Sequence, residues 1–139
     1  MIIIYHPEGV IDLSLLEARE EYARALRAGF KEQKELFAKG EVVFPSVLDE
    51  LITEADVERT VSVGLVEIPA KLIVGTKSSG RITAFTASFL PLLSMDTEFA
   101  YKWVHLCAAH LSDEGIRDPI VCFEYLGKFY IQEGNKRVS

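Results

Sequence analysis

The sequence predicts an α+β fold, with a small mixed β-sheet packed on helices and a two-helix extension in front. Three observations predict it. Residues 12–39 contain no proline and carry apolar side chains at helical spacing, and a second such stripe runs from Thr97 to Ser112. Short runs rich in β-branched residues, bounded by Gly and Pro, follow each of them. The chain has 139 residues, 49% hydrophobic and 26% charged, which supplies one ordinary core and leaves little for a second. This balance also excludes wholesale disorder.

In the first helix Leu15, Tyr22, Leu26, Phe30 and Phe37 recur at spacings of four and seven and mark the face to be buried. Ser14, with Glu17 three residues on, has the pattern of a capping box, and Gly40 supplies the stop. Gly29 interrupts the helix at about 1 kcal/mol relative to Ala, the mark of a bend or a close helix crossing. Pro45 and Ser46 precede Val47, Leu48, Leu51 and Ile52, spaced as a short amphipathic helix ahead of an acidic connection from Glu54 to Glu58. Residues 1–60 are therefore expected to form a helical extension and residues 61–139 the core.

Within that core Val61 to Val66 and Leu72 to Val74 read as strands, because β-branched residues are concentrated there between Gly64, Pro69 and Gly75. Thr76 to Arg81 is polar and turn-rich, an exposed loop. Phe85, Phe89, Leu90, Leu92 and Leu93 surround Pro91 and are expected to be buried against the sheet. The second helix carries Phe99, Ala100, Trp103, Val104, Cys107, Ala108 and Leu111 on one stripe, with Trp103 in the core and Gly115 closing the element. Beyond Pro119, Ile120 to Tyr125 and Lys128 to Glu133 flank Leu126 and Gly127 as a hairpin.

Net charge is −6, with 7 basic and 13 acidic side chains in residues 1–60 and 8 of each in residues 61–139. An acidic front and a neutral back speak against sequence-blind nucleic-acid binding by this chain alone, and leave room for a local basic pocket. No apolar run approaches the roughly 20 residues of a membrane helix, and Met1 to Tyr5 is too short for a signal peptide's apolar region, so a cytoplasmic location is expected. Cys107 and Cys122 lack a second Cys or His at metal-finger spacing and read as reduced core residues. His105 and His110, five apart, turn to different faces of their helix, against a shared metal. Ser78 and Ser79 have no His with a partnering acid nearby in sequence, against a nucleophilic serine.

The richest segment is the last, where the run to Glu133 leads into Gly134, Asn135, Lys136 and Arg137. Glycine lets the backbone turn sharply, amides at a helix start donate to phosphate oxygens, and Lys136 and Arg137 add charge. Glu133 is placed to position a hydroxyl, a metal or a base. A solvated basic terminus beside a turn fits the same residues.

The order of residues 65–139 resembles the ParB/sulfiredoxin-like domain, often labelled a ParB-like nuclease domain. The first block is Val66, Glu67, Ile68, Pro69, Leu72 and Ile73, closing at Arg81. The second is the helix through Trp103 and Leu111, followed by Gly115, Ile116, Arg117, Asp118, Pro119, Ile120 and Val121. The third is Phe129 to Arg137, similar to the family's strand and G-x-x-R signature. The resemblance implies that Gly134, Asn135, Lys136 and Arg137 hold nucleotide phosphates, that Arg81 faces them, and that Gly115, Ile116 and Asp118 help form the pocket. It leaves the nucleotide open, a nucleoside triphosphate with Mg²⁺ being one candidate, and gives Glu133 the role of general base or metal ligand if the chain is an enzyme of phosphoryl transfer or phosphodiester hydrolysis.

Departures narrow this. A sulfiredoxin needs a cysteine inside the signature, where this chain has Asn135 and Lys136. The partition proteins add a DNA-reading helix-turn-helix domain after the signature, and DNA contact would accordingly come from regions outside this chain. The expectation is therefore a fragment of a longer regulatory or DNA-associated protein that binds a nucleotide or a nucleic-acid phosphate, with an interaction module docking through its helical front as the remaining alternative. Self-association is compatible with either.

Overall fold

The computed structural model of the chain describes residues 3–6, 9–111 and 119–139, with side chains from residue 14 onward. Strands β1 (Ile3–His6) and β2 (Gly9–Asp12) form an antiparallel hairpin, and β2 runs directly into helix α1 (Leu13–Ala38). Because the helix begins at Leu13, Ser14 sits inside its first turn and not at its cap. At the other end the Gly40 amide bonds the Phe37 carbonyl at 3.1 Å and the Glu41 amide that of Leu36 at 2.9 Å, the paired bonds that tie off a final turn.

The buried stripe of α1 follows the face marked by Leu15, Tyr22 and Leu26 and leaves it at Phe30 and Phe37. Ala18 and Tyr22 are fully buried and Leu15, Ala25 and Leu26 pack beside them, whereas Phe30 is 47% and Phe37 80% exposed. Small residues form the contact: a Cβ on Gly29 would lie 2.3 Å from the Pro91 carbonyl oxygen. Phe30 is one position on, turned about 100° round the helix from that contact. The close crossing expected at Gly29 is thus made against the Pro91 loop.

Strand β3 (Ser46–Val47) and a 3-10 turn over Leu48–Glu50 occupy the place of the expected second helix. Two adjacent apolar pairs, Val47 with Leu48 and Leu51 with Ile52, suit a helix or a strand entering a turn, and pairing with the sheet selects the second. The acidic connection is itself a helix, α2 (Glu54–Glu58), whose start carries a capping box: the Thr53 amide donates to Asp56 Oδ2 at 2.9 Å and the Asp56 amide to Thr53 Oγ1 at 3.4 Å.

Residues 61–66 form no strand. Val61 and Val63 are each 77% exposed and Leu65 is 87% exposed. Strand β4 (Ile73–Thr76) follows, then the polar turn to Arg81, a 3-10 turn over Ile82–Ala84 and helix α3 (Glu98–Leu111). The expected hairpin is β5 (Val121–Tyr125) and β6 (Lys128–Glu133), joined through Leu126 and Gly127 at φ 52° and 79°, the twist-matched two-residue turn. The sheet order is β3-β4-β6-β5, with β3, β4 and β6 parallel and β5 antiparallel to β6.

Two clusters fill the interior. Ala18 and Tyr22 of α1 meet Ala100, Trp103 and Val104 of α3, with the Tyr22 and Trp103 rings edge-on at 5.1 Å. Ala84, Phe85, Phe89 and Ile131 form the second cluster, and Phe99 packs against both. Phe85, Phe89, Leu92 and Pro91 are buried, as their composition predicted. The α1–α3 packing and the β3–β4 pairing both cross position 60, so the front of the chain shares core and sheet with the rest. Among the described residues no helix is long and apolar enough to cross a membrane.

Candidate functional site

Strand β6 ends at Glu133 and the backbone turns at Gly134, φ 112°, into the single turn of α4 (Asn135–Val138). That φ favours glycine, and a Cβ there would also lie 2.6 Å from Ile120 Cγ2. The segment is docked. Val138 packs on the Phe85–Ile131 cluster, Trp103 Nε1 donates to Ser139 Oγ at 3.0 Å, and Arg137 Nη1 donates to the Pro119 carbonyl at 2.6 Å. Arg137 Nη2 also stands 4.0 Å from the Glu133 carboxylate, so this guanidinium acts as a strut between β6 and the segment before β5.

Opposite α4 lies the outer face of α3. Glu98, Tyr101, Lys102 and His105 fall at i, i+3, i+4 and i+7, all of them exposed, while Ala100, Trp103 and Val104 point into the core. A cleft of about 580 Å³ lies between the two helices, lined by Tyr101, Lys102, His105 and Leu106 on one side and residues 133–137 on the other. Its size suits a small organic ligand.

The electrostatics of this cleft are unbalanced. Partial burial depresses the Lys136 pKa below the ordinary lysine value, and the positive charges of Arg81 and Lys102 depress it further, with Glu98 acting in the opposite sense. The Lys136 ammonium lies 5.6 Å over the Phe99 ring, a contact that compensates part of its desolvation. Glu98 pairs with Lys102 at 2.8 Å, and that hydrogen bond and charge hold its carboxyl below the usual carboxylate range, with Arg81 and Lys136 adding to the effect. Glu98 thus answers three cations, drawn from the polar turn, from α3 and from α4, while Glu133 is the acidic residue in the lining of the cleft itself.

Asn135 Oδ1 is buried, with less than 1 Å² accessible, and has no hydrogen-bond partner among the described residues. Glu133 lines the cleft with its side chain 71% exposed. No group of three or more His, Cys, Asp or Glu able to hold a metal occurs among the described residues.

The structure therefore brings Glu133, Gly134, Asn135, Lys136 and Arg137 to one cleft and sets Arg81 close enough to act on Lys136, although Arg81 is not in the lining. Gly115, Ile116 and Asp118 lie outside the described residues. Because α4 is a single turn, its amides add little dipole, and the charged side chains carry the site. Tyr101, Lys102 and His105 were not singled out from sequence as site residues, and their signal is simple: they form the polar face opposite the apolar stripe through Trp103. Compared with known proteins, the chain matches no protein-family model, no curated protein and no solved structure.

Proposed function

We propose that this chain is a nucleotide-binding module whose cleft between α3 and α4 takes phosphate on Lys102 and Lys136, with Arg81 adding positive charge from outside the lining. The observation that carries the reading is that Lys102 and Lys136 line one cleft, with Arg81 and Glu98 close enough to act on Lys136. Like charges held together in a partly desolvated place disfavour one another, and an entering anion relieves that repulsion. The order of sequence blocks resembling ParB-like domains supports the same ligand class. Arg137, which the sequence assigned to phosphate, lines the cleft and also positions α4 through its Nη1 bond to the Pro119 carbonyl.

The test is binding by the whole chain of ATP, GTP, CTP and UTP with Mg²⁺, and of inorganic tripolyphosphate, followed by thermal shift and calorimetry. At a ligand concentration of 100 times Kd, binding should add about 2.7 kcal/mol to stability and raise Tm accordingly. Lys136→Met should weaken every one of these ligands by about tenfold or more, the scale of a lost charge-assisted contact. Added salt should weaken binding to the parent. Absence of a shift with all five ligands would remove the reading.

A further inference from the structure

Phosphate binding leaves one feature of the α3 face unused. Tyr101 is 63% exposed, yet it is held in place: its ring centroid lies 4.1 Å from that of His105, at an interplanar angle of 37°. His105 is fixed in turn, because its Nδ1 lies 2.9 Å from the Tyr101 carbonyl oxygen. A carbonyl only accepts, so Nδ1 is the protonated nitrogen. The two residues make an ordered aromatic surface, open to solvent, next to Lys102 and inside the same cleft. They also border a second cavity of about 220 Å³, where Met95, Ala100 and Val104 supply apolar wall.

Two demands on a ligand now stand in one place: negative charge for the cations and a flat apolar part for the exposed rings. Inorganic phosphate answers only the first, whereas a nucleotide base supplies a π-face. We infer that Tyr101, backed by His105, is the platform on which the base of a bound nucleotide stacks. This rests on the reading of the cleft as a phosphate site and adds the part of the ligand that the cations cannot recognise.

The experiment compares the four nucleoside triphosphates with tripolyphosphate, all with Mg²⁺, on the parent chain and on Tyr101→Ala, Tyr101→Leu and Tyr101→Phe. In the parent at least one nucleotide should bind more tightly than tripolyphosphate. Tyr101→Ala and Tyr101→Leu should weaken that nucleotide about tenfold, the effect of losing one base–aromatic stack, and leave tripolyphosphate affinity unchanged. Tyr101→Phe should match the parent, since the ring is kept. Thermal unfolding of each free variant checks that this exposed substitution leaves the fold intact. Equal affinity for nucleotides and tripolyphosphate, or nucleotide affinity indifferent to the loss of the ring, would overturn the platform while the phosphate cleft stands. Failure of tripolyphosphate and all nucleotides to bind the parent would remove both.

Discussion

Tyr22 shows how one polar atom in the core couples to pH. Its ring is fully buried against Trp103, and its hydroxyl donates to the Leu93 carbonyl, joining α1 to the loop that precedes α3. Burial pushes its pKa up from 10.0 to about 12. The unfolded chain ionises this phenol first, so its stabilising contribution is complete below pH 10 and is lost as pH rises through about 12. Tyr22→Phe should cost about 1 to 1.5 kcal/mol at neutral pH, the usual scale of one hydrogen bond. It should also remove this part of the alkaline loss, so that parent and variant converge above pH 10 when urea unfolding is followed at several pH values. A gap that stays constant across that range would show that the hydroxyl is not protected in the folded state. Lys136 has the opposite sign. Its folded-state pKa is depressed below 10.5, so the cost of holding it charged falls away as pH rises past the depressed value toward 10.5. The residue proposed to meet an anion is therefore one whose charge the fold holds at a loss.

Among the elements, α1 meets its sharpest constraint at Gly29. The helix passes so close to Pro91 that a methyl group would overlap a backbone carbonyl, which cannot swing aside as a side chain would. Gly29→Ala gains about 1 kcal/mol in helix propensity and loses about 1 to 3 kcal/mol to overpacking. A net destabilisation of about 1 kcal/mol, read from the denaturant midpoint, is the expected result, and a gain of stability would show that the crossing is looser than described. This contact was half legible: the glycine announced a bend or a crossing, while its partner, 62 positions on, left no trace nearby. Elements whose pattern is internal to themselves are legible, as α3 and the β5–β6 hairpin show, whereas β4 runs on through Gly75 to Thr76, which reads as the start of an exposed loop and is buried. The short ones are not. Two residues of β3 become a strand only through β4, and α2 forms on a Thr53–Asp56 cap inside a run that reads as charged linker. The site divided in the same way. Strand, glycine and basic residues around position 134 were visible as a unit, whereas Tyr101, Lys102 and His105 became site residues only once α4 lay across from them. Nothing local distinguished Arg137 as a tie to Pro119.

At the scale of the whole molecule, an overall charge of −6 surrounds a cleft in which positive side chains outnumber negative ones. Such a surface repels a long polyanion and still admits a single phosphorylated ligand at one point, which is why the proposed ligand is a nucleotide and not a nucleic acid. The stretch at residues 61–66 illustrates the same dependence of local structure on the surroundings. Its alternating β-branched residues would make a strand only if paired at an edge of the sheet, and the order β3-β4-β6-β5 does not include it. Replacing Val61 and Val63 together by lysine tests this directly. With each side chain 77% exposed, the double variant should unfold within about 0.5 kcal/mol of the parent, because surface substitutions away from packed features rarely exceed that. A buried strand would respond differently: two charged groups at core positions would cost several kcal/mol or prevent folding. Chemical denaturation of parent and variant decides between these outcomes, and a loss above about 2 kcal/mol would mean that residues 61–66 are packed as the strand their composition first predicted.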